Sequence, residues 1–242
     1  MTTTQTTDGI LAEVQLLTRE EAAGVVDALF EERQHWTPRH SDYPIFTMGR
    51  ASYLDGPKLG FAKFQQEALK LNPILHARFG WLHERLRQAV STLVGSEARF
   101  DERLALPGFH IYLSDPTKIQ PVASVHFDMQ FEKIDWSSIG DVDRDQQLSL
   151  TVAIDLPASG GGLLVWNVNR LEIEKMTPEV RRAHMAANRH AAYHAYTVGN
   201  LVVHSGHQLH QIAKTKDVQA TDRRITMQSH ASPVNGEWVI YW

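Results

Sequence analysis

Val125-His126-Phe127-Asp128-Met129-Gln130-Phe131, VHFDMQF, sets a histidine and an acid two residues apart in an apolar, β-prone run. Along a strand, alternate side chains share a face, so His126 and Asp128 are expected to point one way and Phe127 the other. Such a pair is two-thirds of a three-ligand metal site; it is equally a half-buried strand carrying two polar residues. The pattern arises easily, since the chain has 13 histidines and a second copy, His40-Ser41-Asp42, in a Pro-rich stretch. That copy reads as a turn, where Asp and Ser bond the local backbone.

Working outward, the chain beyond about Pro107 is a series of short β-prone runs separated by turn residues: GFHIYLSD, PVASVHFDMQF, QLSLTVAIDL, GGLLVWNV, TVGNLVVH, HQLHQIA, RRITMQSHAS and EWVIYW. Val234-Asn235-Gly236-Glu237 is a two-residue hairpin signal joining the last two. Many short strands in succession predict an antiparallel sandwich or closed barrel. One helical insertion is expected near 177–190. The first hundred residues read mainly as helix. Thr18 with Glu21 forms a capping-box pattern that opens one helix. A second spans about Phe61 to Val94, broken near Asn72-Pro73 because proline cannot continue a helix, and capped by Gly95. The expected fold is therefore mainly β with a helical N-terminal layer, in one domain over 1–242. Residues 1–10 would be a flexible tail, 11–105 the helical layer and 106–242 the β core.

Composition narrows the function classes. The 242 residues are 43% apolar and 21% charged, with a formal net charge of −4 and no cysteine. Thiolate metal sites, disulfides and cysteine nucleophiles are excluded, and a reducing cytoplasm is the expected address. The mild acidity gives no reason to expect nucleic acid or an anionic membrane as partner. MTTTQTTDGI lacks the basic and apolar regions of a signal peptide, and no apolar stretch reaches spanning length.

Downstream, VGNLVVHSGHQLHQIA offers His204, His207 and His210, and Arg224, Thr226 and Gln228 share one face of the run TDRRITMQSH. A distant histidine would complete two imidazoles and one carboxylate on one face of a metal, a set that suits non-haem Fe(II). An arginine facing the same space supplies a planar fork for a carboxylate.

The order HFD … GGGLLVW … GNLVVHSGHQLHQIA … RRIT resembles the Fe(II)/2-oxoglutarate-dependent dioxygenases over roughly Phe109 to Ser229. The resemblance implies a double-stranded β-helix, a jelly-roll or cupin-like barrel. It matches His126, Asp128 and His210 to the metal ligands and catalytic centre, with His207 and then His204 as weaker candidates for the third. It matches Arg224 and Thr226 to the site of the cosubstrate's far carboxylate, and Tyr112 to a further hydroxyl there. It implies Fe(II), 2-oxoglutarate and O2 as cofactors, with succinate and CO2 released as an unactivated C–H of a small molecule, such as an amino acid derivative, is oxidised. Related halogenases lack the acid, so Asp128 favours hydroxylation. Trp36, Arg39, Phe46, Arg50 and Tyr53 are candidates for the mouth of the barrel, or for packing beneath it. Two other readings stay open: a cupin-type metalloenzyme that does not use 2-oxoglutarate, and a non-catalytic metal-binding barrel.

Overall fold

The computed structural model describes residues 9–242. In chain order it has β1 (Ile10–Gln15), α1 (Arg19–Glu31), β2 (Trp36–Pro38), β3 (Ile45–Met48), α2 (Ser52–Leu59), α3 (Phe61–Val94), β4 (Ala98–Phe100) and β5 (Gly108–Leu113). After a long irregular stretch come β6 (Leu148–Asp155), β7 (Leu163–Asn169), α4 (Arg170–Ile173), α5 (Pro178–Ala187), β8 (Ala192–His194), β9 (Asn200–Ser205), β10 (Gln208–Ile212), β11 (Arg223–Val234) and β12 (Glu237–Tyr241). The large sheet runs β1-β9-β6-β11-β5-β3-β2, with β12 on β11 and β4 parallel to β12. The small sheet is β10-β7-β8. Among the described residues no helix is long and apolar enough to cross a membrane.

Period two explains how the large sheet serves two purposes. Phe109 and Ile111 of β5, Leu150, Val152 and Ile154 of β6, and Ile225 and Met227 of β11 are buried against Val25, Val26 and Leu29 of α1 and Phe79, Leu82 and Leu86 of α3. Their alternates, His110 and Tyr112, Thr151, and Arg224 and Gln228, line a cavity whose other wall includes Leu163, His210 and Ile212 of the small sheet. The helices seal one face, and the chemistry-bearing residues gather on the other.

Several expectations hold in detail. Thr18 and Glu21 form the reciprocal capping box of α1, Thr177 caps α5, and Asn235 and Gly236 take positive φ (51° and 84°) at the β11–β12 turn.

Others are corrected. The helix from Phe61 is not broken at Pro73; α3 is continuous over 34 residues. Pro73 lies on its exposed side, between the buried anchors Phe64, Ala68, Leu75 and Phe79. Asn72 ties the same turn to the 104–106 segment through Leu104 O (2.8 Å) and the Leu106 N–H (3.0 Å). Tertiary packing outweighs the lost backbone bond. The layer assigned to 11–105 also contains strands: β1 pairs with β9, and β2, β3 and β4 join the same sheet. Of the tail expected over 1–10, residues 1–8 lie outside the described residues, while Gly9 and Ile10 are placed and Ile10 is buried in β1.

Candidate metal centre

VHFDMQF is not a regular strand. His126 makes an isolated bridge to His210, exchanging backbone bonds of 2.9 and 3.0 Å, and the Asp128 N–H donates to Gly206 O at 2.8 Å. The chain then enters a 3-10 turn, Gln130–Lys133, because Phe131 buries into a separate cluster with Leu104, Trp136 and Tyr241. Glycine at 206 permits the close approach: a Cβ there would sit 2.3 Å from Gln147 Nε2 and 3.0 Å from Asp128 O.

The bridge nonetheless brings the two histidines and the acid together. His126 Nε2 lies 3.4 Å from Asp128 Oδ1 and His210 Nε2 3.5 Å from Oδ2, and one ligand atom from each residue lies within 4.8 Å of the others. His126 Nδ1 is 2.9 Å from Ser124 O and His210 Nδ1 2.8 Å from Gln208 O. A carbonyl accepts and never donates, so both Nδ1 atoms carry the proton and both Nε2 lone pairs stay free for a cation.

Asp128 is 1% exposed. Ser149 Oγ donates to its Oδ2 at 2.6 Å and Gln130 Nε2 to its Oδ1 at 3.0 Å. Burial works against its charge, yet the neighbouring His210 and His126 hold the carboxyl well below the usual carboxylate range. Burial pushes His210 down and takes His204 to about 3. For His126, burial pulls down but the Asp128 carboxylate more than offsets it, and the ring is raised. A buried carboxylate between two imidazoles that turn Nε2 toward it is a donor set that fits a divalent transition metal.

The cavity measures about 480 Å³. In its wall Arg224, 5% exposed, donates through Nε to Gly161 O at 2.8 Å and lies 5.8 Å from the ring centres of Tyr112 and Tyr196. Its Nη1 is buried with no hydrogen-bond partner. Tyr112 joins this wall, its hydroxyl kept protonated as burial raises its pKa. Thr226 is buried between Arg224 and Gln228 but does not form part of the wall. His207 lies outside the cavity, bonded through Nε2 to Arg144 O at 2.8 Å. His204 lines it, with its ring centre 4.5 Å from that of His210.

Of the loop candidates, Arg39 and Tyr53 reach the cavity. Trp36 and Phe46 make a tilted ring contact with each other instead, 5.5 Å between centres, and Arg50 lies 3.8 Å from both Asp55 and Glu67. The Tyr53 hydroxyl meets His110 Nε2 at 2.5 Å. Arg39 is spent on the Asp55 carboxylate (2.6 and 2.7 Å) and on Thr47 Oγ1 (2.8 Å), which pins α2 in place. Sequence reasoning did not single out His110, Gln130, Thr151 or Tyr196 as wall residues. The phase of His110 with Tyr112 was the available signal for one of them; Tyr196 lies outside any strand and carries none.

No protein-family model and no curated protein matches the chain. Solved structures do. The non-heme α-ketoglutarate-dependent epimerase SnoN from nogalamycin biosynthesis aligns with a TM-score of 0.55 at 14% identity, over 93% of this chain and 81% of its own. SnoN in complex with Fe3+, α-ketoglutarate and nogalamycin RO gives 0.53 at 14% identity, over the same shares. The chain therefore has the fold of a non-heme, α-ketoglutarate-dependent enzyme.

Proposed function

We propose that this chain is an Fe(II)/2-oxoglutarate-dependent dioxygenase, a single double-stranded β-helix domain that hydroxylates an unactivated C–H of a small molecule such as an amino acid derivative. One observation carries the reading. Three ligand atoms converge within 4.8 Å beside a cavity whose wall also holds a buried guanidinium with an unpartnered Nη1.

His126, Asp128 and His210 would hold the iron through two imidazole nitrogens and one carboxylate oxygen, a set that suits non-haem Fe(II). When bound, iron, 2-oxoglutarate and O2 supply the oxidising chemistry, with succinate and CO2 as co-products. Arg224 offers the charged donors for the keto acid's far carboxylate, in a fork that lysine does not reproduce. Tyr112 adds a neutral O–H donor beside it, and Thr226 is the hydroxyl proposed on the same face of β11. The carboxylate at Asp128 supports hydroxylation over halogenation. A cavity of about 480 Å³ is of the size that suits small-molecule ligands.

The test is succinate formation from 2-oxoglutarate by the iron-loaded protein in air, across a panel of small acids. Turnover that disappears in Asp128→Ala is the expected result. Metal binding with no consumption of 2-oxoglutarate by any member of the panel contradicts the proposal.

A further inference from the structure

Two polar side chains of the cavity wall, His110 and Gln228, are hydrogen-bonded to none of the metal ligands and keep free polar atoms toward the cavity. The His110 ring stands edge-on to Trp242, centres 5.4 Å apart, and its Nε2 meets the Tyr53 hydroxyl at 2.5 Å. The phenol has no other acceptor among the described residues, so its O–H donates to Nε2. Burial keeps the ring uncharged by taking it down to about 3. A neutral imidazole that accepts at Nε2 carries its proton on Nδ1. That N–H has no partner among the described residues, yet it is not sealed in the interior as Trp242 Nε1 is, and the ring lines the cavity.

Gln228 is half-buried on β11, and neither atom of its amide has a hydrogen-bond partner among the described residues or is sealed from the cavity it lines. The register sets His110 of β5 across from Thr226 and Gly108 across from Gln228. His110 and Gln228 are therefore diagonal neighbours on one face of the sheet, at a spacing of about 7–8 Å, and Gly108 offers the amide no side chain to bond. One neighbour donates; the other offers an acceptor as well as donors. No free cation serves this patch. Asp55 takes Arg39 through two bonds, Arg224 is assigned to the keto acid, and Lys133 is exposed to solvent. A carboxylate buried here without a counter-charge would be costly, whereas a neutral group with an acceptor and a donor back to back matches both side chains.

We infer that His110, positioned by Tyr53, and Gln228 are specificity-determining residues, and that the substrate carries a secondary amide. The amide oxygen accepts from His110 Nδ1–H, and the amide N–H, pointing the opposite way, donates to Gln228 Oε1. This rests on the dioxygenase reading, because it leaves Arg224 to the cosubstrate.

The experiment uses anaerobic protein loaded with Fe(II) and 2-oxoglutarate, and compares wild type with Gln228→Met, His110→Leu and His110→Asn. Small N-acyl amines and N-acyl amino acids are added as probes. Each is set beside its ester analogue, which lacks the N–H, its thioamide analogue, whose sulfur accepts poorly, and an analogue with a carboxylate in place of the amide. Binding is followed by perturbation of the visible band of the loaded centre. Amides are expected to bind wild type about tenfold or more tightly than all three analogues. Gln228→Met should erase the preference over esters and keep that over thioamides. His110→Leu should do the reverse, and His110→Asn, which keeps an N–H near the place of Nδ1, should recover the preference over thioamides. Amides that bind wild type no better than esters, thioamides or carboxylates, or that do not bind at all, overturn the inference whether or not a variant loads. So does a raised 2-oxoglutarate requirement in His110→Leu and Gln228→Met with the amide preferences unchanged, which would give the pair to the cosubstrate. Absence of the band in wild type before any probe is added would instead remove the dioxygenase reading itself.

Discussion

Asp128, the carboxylate of the proposed metal site, is held by residues both near it and well apart from it in the chain. Ser149 and Gln130 each hold one carboxylate oxygen, while the Gln147 amide bonds the Asp128 carbonyl and accepts from the Phe131 N–H (3.3 Å) and the Tyr241 hydroxyl (3.1 Å). Ser149→Ala is expected to weaken Fe(II) binding by about ten- to a hundredfold, with Ser149→Thr recovering most of it, as measured by competition with a chelator. In Arg224→Lys the charge stays and the fork is lost, so 2-oxoglutarate affinity should fall about tenfold or more while Fe(II) affinity is unchanged. Spacing alone offered His126 and Asp128 with His204, His207 or His210; the resemblance to the dioxygenases grouped the first two with His210, because each belongs to a local pattern in recognisable order. Neither Gln147 nor Ser149 was legible in this way, since their places depend on contacts between distant segments.

At the scale of elements, alternation was the legible signal. β5, β6, β9 and β11 bury every second residue against the helices, and a six-residue run is enough to show it. β1 alternates too, with Ile10, Ala12 and Val14 buried, but it is short and ends just before a strong helix cap, so its region read as tail and helix. VHFDMQF has the strand pattern without the strand, since the chain bends to bury Phe131. Pro73 was misread for the opposite reason, a local breaker overruled by packing on both sides. Because Pro73 sits on the exposed side of α3, Pro73→Ala should restore the missing backbone bond and raise stability by about 1–3 kcal/mol, read from denaturant midpoints. Gly108→Ala should act the other way. Its Cβ would lie 2.0 Å from the buried Trp242 ring and 2.5 Å from Met48 O, an overpacking expected to cost about 1–3 kcal/mol.

For the whole molecule, the helix layer, large sheet and cavity wall form one stack in which many histidines are buried uncharged. Burial takes His110 and His204 down to about 3, and His83 and His230 down to about 4. The unfolded chain protonates these groups near 6.5 and the folded chain does not. Between pH 6.5 and 4 the unfolded state therefore binds more protons, and stability should fall steadily as the pH is lowered through that window. Denaturant midpoints of metal-free protein across it check this; a flat profile down to pH 4 would contradict the neutral burial of these rings. The overall class, mainly β with a helical layer, was readable from the change of texture near Pro107. The strand order was not, because β1, β2, β3 and β4 enter the sheet from the helical half by pairings that no local pattern announces. The proposed three-ligand iron site and the arginine proposed for the keto acid line one cavity. Anaerobic titration of apoprotein with Fe(II) and then 2-oxoglutarate, with Asp128→Ala and Arg224→Ala alongside, examines both at once. A visible charge-transfer band that requires both additions, is lost in Asp128→Ala and needs more 2-oxoglutarate in Arg224→Ala is the predicted result. Iron binding with no such band at any 2-oxoglutarate concentration would contradict the proposal.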